Sequence, residues 1–485
     1  MPTFPFGTIN NATAIANQIT APTLWQKAVD MYEENSDFWQ TYEGSGESNV
    51  ILTNNDLNAG DGTTMKIRVE SGYYNEPHYA DETFDDEADF EEDLFANYEL
   101  TLDVIRHGSS GSERAEEKMG LRGAIGRQSK KLGNWMGRIK TENLDMMFVN
   151  KVLSTNKIRP NGKTLDTIAT ADGLSLNFVS TAAGLLRRLG GQRAKTGTMA
   201  NGAPSRKLVL VACSDACAVL RQDTAWQTIV SNASDRGKSN SLFKGVIDEL
   251  DGIAVVEREV IDHDGEGAIG SPMNPRALLG NAIASGSGAL NITGGGNATS
   301  AAKTQKLYYK YFPNYLYKFS DGTLVTANGL SNYCIIVNPP NAATDPNKYG
   351  MYKYTTGNDG NKIAVTQRLA GAIAGIAHTT VGTVVWDATK HTDVHPAGAL
   401  VLPCNAKGEP LGYSFLLGAA AALRGYGKFR NRLDTEMTEG NYWTKKFIRT
   451  YMGQKIREDR LGRQPGLVVL EHALHYKDLP LVTTV

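Results

Sequence analysis

The sequence is short of cysteine, of long hydrophobic runs and of net charge. Its 485 residues hold four cysteines. Cys213 and Cys217 lie four apart, Cys334 and Cys404 stand alone, and no CxxC pair occurs. That spacing excludes a disulfide framework and the common zinc motifs; the expectation is four buried thiols in a reducing compartment. The longest strongly apolar stretch, Phe415 to Leu423, is nine residues. A membrane helix needs about 20, so no spanning helix and no membrane partner are expected. Met1 is followed by Pro2, Thr3 and Phe4 without a basic start or an apolar run, so no signal peptide is expected either. Lys and Arg total 50 against 52 Asp and Glu. A formal charge of -2 argues against a polycation that coats nucleic acid.

The motifs of common chemistries are missing too. A phosphate-binding loop needs GxxxxGK[ST], and Gly162-Lys163-Thr164 and Gly237-Lys238-Ser239 carry only its second half. Asp262 to Gly267 opens like a calcium loop, but Met273 stands where an EF-hand needs a bidentate Glu. His391 and His395 are separated by Asp393 and followed by Pro396, and no GxSxG elbow occurs. No catalytic, cofactor-binding or metal-binding residue is therefore expected, and no enzyme activity. Leu307 to Phe312 sets aromatics beside Lys310; a base-stacking platform and packed strand both fit, and the absence of a basic patch favours the strand.

What is present is a succession of extended and helical signals. Residues 1–45 read as an arm with one amphipathic piece, Leu24 to Tyr42, whose aromatics need another element to dock on. In residues 46–106, Val50 to Leu52 reads as a short strand. Met65, Ile67 and Val69 alternate with polar residues, and so do Tyr98, Leu100, Leu102 and Val104, the period-2 signal of half-exposed strands. Between them nine carboxylates crowd Asp81 to Asp93. From Ser110 to Leu153 the apolar residues recur at helical spacing, with Ser110 and Glu113 at capping-box distance. The opposite face is basic, with Arg122, Arg127, Lys130, Lys131, Arg138 and Lys140. Gly120, Gly123, Gly126, Gly133 and Gly137 interrupt this helix and mark a kink or a close backbone contact.

Further on, Leu176 to Leu189 reads as a helix stopped by Gly190-Gly191, Leu208 to Val211 as a buried strand, and Asp215 to Val230 as a helix. Asp251-Gly252 joins Lys244–Leu250 to Ile253–Val260 as a hairpin. Residues 265–400 differ in texture, rich in Gly, Ser, Ala and Tyr, with strand candidates Cys334–Val337 and Thr383–Trp386; they read as a separate β-rich insertion. Phe415 to Leu423 reads as an Ala-rich helix, and Phe447–Met452 and Leu467–Leu470 as strands. The fold class is α+β.

Three segments carry a resemblance. They are LVLVACSDACAVLRQDTAWQTIV (208–230), with Leu220, Asp223 and Trp226; NSLFKGVIDELDGIAVVE (240–257), with Phe243, Gly245 and Asp251-Gly252; and GYSFLLGAAAALRGYG (412–427) followed by the Trp443–Ile456 strand region. In this order the chain resembles the major capsid proteins of tailed bacteriophages of the Hong Kong 97 type, in particular the podovirus branch with large capsid proteins. The resemblance covers about residues 24–262 and 410–471.

It implies an N-terminal arm at 1–45, an E-loop at 46–106 and a P-domain with a long spine helix at 107–200. It further implies an A-domain at 201–264, the β-rich insertion at 265–400, an A-domain return at 401–430, and P-domain return strands with the C-terminus at 431–485. It implies a virion protein, assembled in the host bacterial cytoplasm, that forms pentamers and hexamers and closes an icosahedral shell around double-stranded DNA without reading its sequence. A scaffold protein, a portal protein and, where the shell carries one, a decoration protein are the implied partners. A separate scaffold and no maturation cleavage are expected. A long two-stranded ribbon is not stable alone, so it needs a neighbour. Some of Asp85, Asp86, Glu87, Glu91 and Glu92 are expected to meet Arg127, Lys130 or Arg138 of another subunit, which would guide docking. A different virion or nanocompartment shell protein, and more remotely a hydrolase with its site in the insertion, stay open as alternatives.

Overall fold

Residues 208–211 and 411–417 are apolar runs without alternation, which suits strands covered on both faces. The computed structural model describes residues 29–57, 64–70, 95–112, 124–169, 171–198, 204–228, 249–250, 252–258, 271–275, 277–278, 289–291, 316–318, 324–326, 333–339, 342–343, 348–356, 362–370, 394–396, 398–405, 408–427, 432–438, 443–459 and 461–474. In chain order its elements begin with a helix at residues 29–36 (α1), β1 (Ile51–Leu57), β2 (Thr64–Glu70), β3 (Phe95–Thr101), β4 (Asp103–Ser112) and α2 (Ala124–Asn150). Then come β5 (Lys157–Ile158), α3 (Leu176–Arg188), β6 (Ala194–Thr198), β7 (Pro204–Cys213), α4 (Ser214–Gln222), β8 (Glu249–Leu250) and β9 (Ile253–Arg258). The chain continues with β10 (Tyr333–Val337), β11 (Tyr349–Thr356), β12 (Lys362–Ala370), β13 (Leu400–Cys404), β14 (Leu411–Leu417), β15 (Ala422–Gly427), β16 (Arg432–Thr438), β17 (Trp443–Ile456) and β18 (Leu467–Ala473).

Two sheets hold the chain together. The first runs β5-β18-β14-β7-β9-β8, with β6 added beside β7. Its centre is β14, antiparallel to β18 from Leu411↔Ala473 to Leu417↔Leu467 and to β7 at Phe415↔Val211. Strands β8 and β9 form the hairpin expected at Asp251-Gly252, where Gly252 takes the left-handed φ of +74° that the tight turn requires. The second sheet runs from Glu43–Gly44 through β1, β15 and β17 to β16, with β4 pairing β17. A third sheet, of order Ala277–Leu278, β13, β10, β11, β12 and Ala289–Asn291, lends alternate residues of β10 to two cores: Cys334 and Ile336 to one, Ile335 and Val337 to the other.

The helix expected from Ser110 to Leu153 is corrected at its start. Residues 103–112 are strand, paired with β17 from Asp103↔Met452 to Ser112↔Trp443. Gly108, Ser109, Ser110, Gly111 and Ser112 are poor helix formers, and a ten-residue ladder outweighs the capping-box signal at Ser110. The helix α2 itself is Ala124–Asn150, and it is buried all round from Lys140 to Val149. The Ala-rich helix expected at Phe415–Leu423 is corrected as well. It is the end of β14 and the start of β15, joined through Ala420 at φ +47°. Its aromatic and leucine residues complete sheets on both sides, and that tertiary pairing overrides alanine's helix propensity.

Several other readings fall where expected. Helix α3 ends at Arg188 with Gly190 at φ +88°, β2 and β3 pair from Thr64↔Thr101 to Glu70↔Phe95, and β10 covers Cys334–Val337. The helix expected over 215–230 is α4 followed by a second helical segment at 224–228, because Asp223 breaks the run and accepts from Ala225 N at 3.1 Å. Thr383–Trp386 and Leu307–Phe312 lie outside the described residues. All four cysteines are buried; burial pushes the Cys217 thiol up to about 12, so it is an inert thiol at neutral pH.

Candidate assembly interface

The interface is set by how the N-terminal segment clamps α2. Helix α1 crosses α2 at two glycines: a Cβ on Gly133 would stand 2.7 Å from Val29 O, and one on Gly137 would stand 2.5 Å from Glu33 O. These are two of the five glycines that the sequence marks as kink or contact points. Close approach then buries a chain of charges. Glu33 meets Lys140 at 2.7 Å with both side chains wholly buried, so Lys140 does not belong to the exposed basic face expected for it. Asp37 accepts from Thr141 Oγ1 at 2.8 Å and from Arg424 at 2.7 Å. Arg424, also wholly buried, has Glu43 as a second carboxylate and donates to Lys140 O at 3.3 Å. Burial alone would lower the Arg424 pKa, but Asp37 and Glu43 outweigh it and raise it well above the usual value. Trp39 donates to Asp145 Oδ1 at 2.8 Å and stacks edge-on against Phe148 at 5.5 Å. Burial pushes the Asp145 carboxyl up, against the opposing pull of its partner Arg258.

The cost of a methyl group at Gly137 gives a clean test. In an open helix Gly→Ala gains about 1 kcal/mol. Here the methyl collides with backbone, and overpacking costs about 1–3 kcal/mol. Gly137→Ala is therefore expected to lower the melting temperature and to expose residues 29–44 to protease; a raised melting temperature contradicts the close contact.

With α2 clamped on one side, β17 covers it on the other. Ile448, Thr450 and Met452 point inward and are buried. The alternate residues of β17 point outward, and three large apolar side chains stay uncovered: Phe447 is 40% exposed, Tyr451 44%, and Val104 on β4, opposite Tyr451, 37%. Arg449 lies between the two aromatics, facing Arg106 of β4. Asp434 bridges Arg432 at 3.0 Å and Arg449 at 3.1 Å along the same edge. A sheet face with exposed aromatics among arginines has the composition of a protein–protein contact. The base of the β2–β3 ribbon sits nearby, with Tyr98, Leu100 and Leu102 in a small core with Leu52 and Leu423.

The residues expected at a subunit contact are placed as follows. Asp85, Asp86, Glu87, Glu91 and Glu92 lie outside the described residues. Arg127 lies in the first turn of α2. Lys130 is exposed, 5.2 Å over the ring of Tyr32, and Arg138 lies 3.5 Å from Glu142 in its own helix. The exposed face around Phe447 was not singled out from the sequence; the alternation of Phe447, Arg449 and Tyr451 against Ile448, Thr450 and Met452 was the available signal.

His107 caps this region, stacked on Trp135 at 4.3 Å. Partial burial and the nearby Arg138 charge hold its imidazole below the usual histidine value. The unfolded imidazole therefore takes its proton first as the pH falls, so the stack's contribution is complete above about pH 6.5 and declines below it. His107→Gln is expected to flatten the fall in melting temperature between about pH 7 and pH 5; an unchanged slope contradicts this.

No protein-family profile matches the chain and no curated protein matches its sequence. Solved structures do match. The chain is similar to the capsid of Ralstonia phage GP4, at TM-score 0.50 and 12% identity over 90% of this chain and 91% of that one. It is equally similar to the capsid asymmetric unit of cyanophage Pam1, at TM-score 0.50 and 11% identity over 91% and 93%. The fold is therefore the mixed α+β, Hong Kong 97-like fold of tailed-phage capsids.

Proposed function

We propose that the chain is the major capsid protein of a tailed bacteriophage and that it builds an icosahedral shell of pentamers and hexamers around double-stranded DNA. The observation that carries this reading is the capsid fold over nine-tenths of the chain, combined with the uncovered Phe447, Tyr451 and Val104 face. In this reading residues 1–45 are the arm, 46–106 the E-loop, 107–200 and 431–485 the P-domain, 201–264 and 401–430 the A-domain, and 265–400 an insertion. The role is structural, with copies of itself as main partner, a scaffold and a portal during assembly, and a decoration protein where one is present. The carboxylates of 85–92 then meet basic residues of a neighbour, Arg127, Lys130 or Arg138 among them. No helix of the described residues is long and apolar enough to cross a membrane.

Cryo-electron microscopy of particles from cells expressing this chain with its scaffold tests the proposal. Closed shells with fivefold and sixfold clusters are expected. Assemblies without such clusters, or no assembly at all, contradict it.

A further inference from the structure

Where α2 ends, the chain builds a cleft that the shell reading does not use. Asn156 anchors the turn by donating to Gln464 O at 2.6 Å and Leu467 O at 2.7 Å. Strand β5 pairs in parallel with β18, and the turn Pro160–Gly162, with Asn161 at φ 53°, forms one wall. The opposite wall is the stripe Asn177, Thr181, Leu185 and Arg188 of α3, spaced three to four apart. Between them lies a cleft of about 600 Å³, within the usual range for an organic ligand.

Its described side chains are net positive. Lys157, Arg159, Lys163 and Arg188 line it. Two buried carboxylates answer them: Glu471 holds Arg159 at 2.6 Å and Lys157 at 3.6 Å, and Asp172 holds Lys163 at 2.7 Å through both oxygens. Among the described side chains, two positive charges remain in excess. The arginines are fixed by one nitrogen each. Arg159 donates through Nε to Glu471, and Arg188 through Nε to Gly184 O at 3.3 Å. Among the described contacts the terminal nitrogens of both are unengaged. A guanidinium fixed at Nε presents a planar pair of donors that matches phosphate oxygens.

We propose that this cleft binds a phosphate-bearing organic anion, with the forks of Arg159 and Arg188 on the phosphate and Pro160 and Leu185 against the organic part. A free nucleotide and a nucleic-acid backbone share this chemistry. The proposal stands apart from shell formation, because the cleft is complete within one chain.

The test is titration of the full-length chain at fixed ionic strength with ATP and with a short DNA duplex, using the wild type, Arg188→Gln and Arg187→Gln. Arg187 is exposed on the same helix but outside the cleft, and neither exposed substitution touches a core. Arg188→Gln is expected to weaken binding about tenfold, the loss of a charge-assisted hydrogen bond, and Arg187→Gln to leave it unchanged. Binding of ATP alone assigns a free nucleotide, and of the duplex alone a nucleic-acid backbone; either result upholds the site. No binding, equal affinity of wild type and Arg188→Gln for both probes, or equal displacement by poly-glutamate overturns it.

Discussion

Replacing Arg424 with Met is expected to destabilise the protein by about 3–5 kcal/mol, the cost of leaving buried carboxylates without their cation. Arg424 is wholly buried and Asp37 and Glu43 are nearly so, and the pairs tie residues 37–43 to β15 across almost 400 positions of sequence. The charge network does not have to be stabilising as a whole for this to hold. A buried ion pair against a hydrophobic substitute is often neutral, whereas a half-removed pair is not. Adding Asp37→Asn and Glu43→Gln to Arg424→Met is therefore expected to recover part of the loss, because it removes the orphaned charges. Chemical denaturation of the three proteins measures this. A single variant as stable as wild type would show that the clamp is not held by these charges.

The second large effect is on association. Phe447→Asp with Tyr451→Asp places two carboxylates on the outward face of β17, while Ile448, Thr450 and Met452 keep the inward face intact. The folded chain is expected to retain its melting temperature within a few degrees. Central aromatic contacts are worth about 2 kcal/mol or more each, so each lost contact weakens association by about 30-fold, compounded over every contact in a closed particle. Sedimentation is expected to show no particles at concentrations where wild type assembles. Particles forming as readily as from wild type would remove this face from the interface.

The strands were legible wherever side chains alternate or run apolar. Met65, Ile67 and Val69, Leu208–Val211 and the Asp251-Gly252 turn all carry their geometry in local pattern. Local pattern misled where a long-range ladder competed with it. Ser110 looks like a helix cap and Ala419–Ala422 like helix, yet the pairing of Ser110 with Lys445 and of Ala422 with Ile456 decides their state. The glycines of α2 were legible as points of contact, but not what they touch. Nothing near Gly137 in sequence points to Glu33, 104 positions away. The clamp could not be read for the same reason: Glu33–Lys140, Asp37–Arg424 and Asp145–Arg258 join residues with no shared local pattern. A lysine at a helical position reads as solvated, and only the packed structure shows Lys140 without solvent.

The claim on which the rest depends is that one copy leaves an apolar face that other copies cover. The mass of the wild-type chain, mixed with its scaffold, across a concentration series tests it most directly. The account predicts closed particles of many copies, in equilibrium with small oligomers or nothing smaller. A single species of 52.6 kDa at every concentration, with scaffold present, would contradict it.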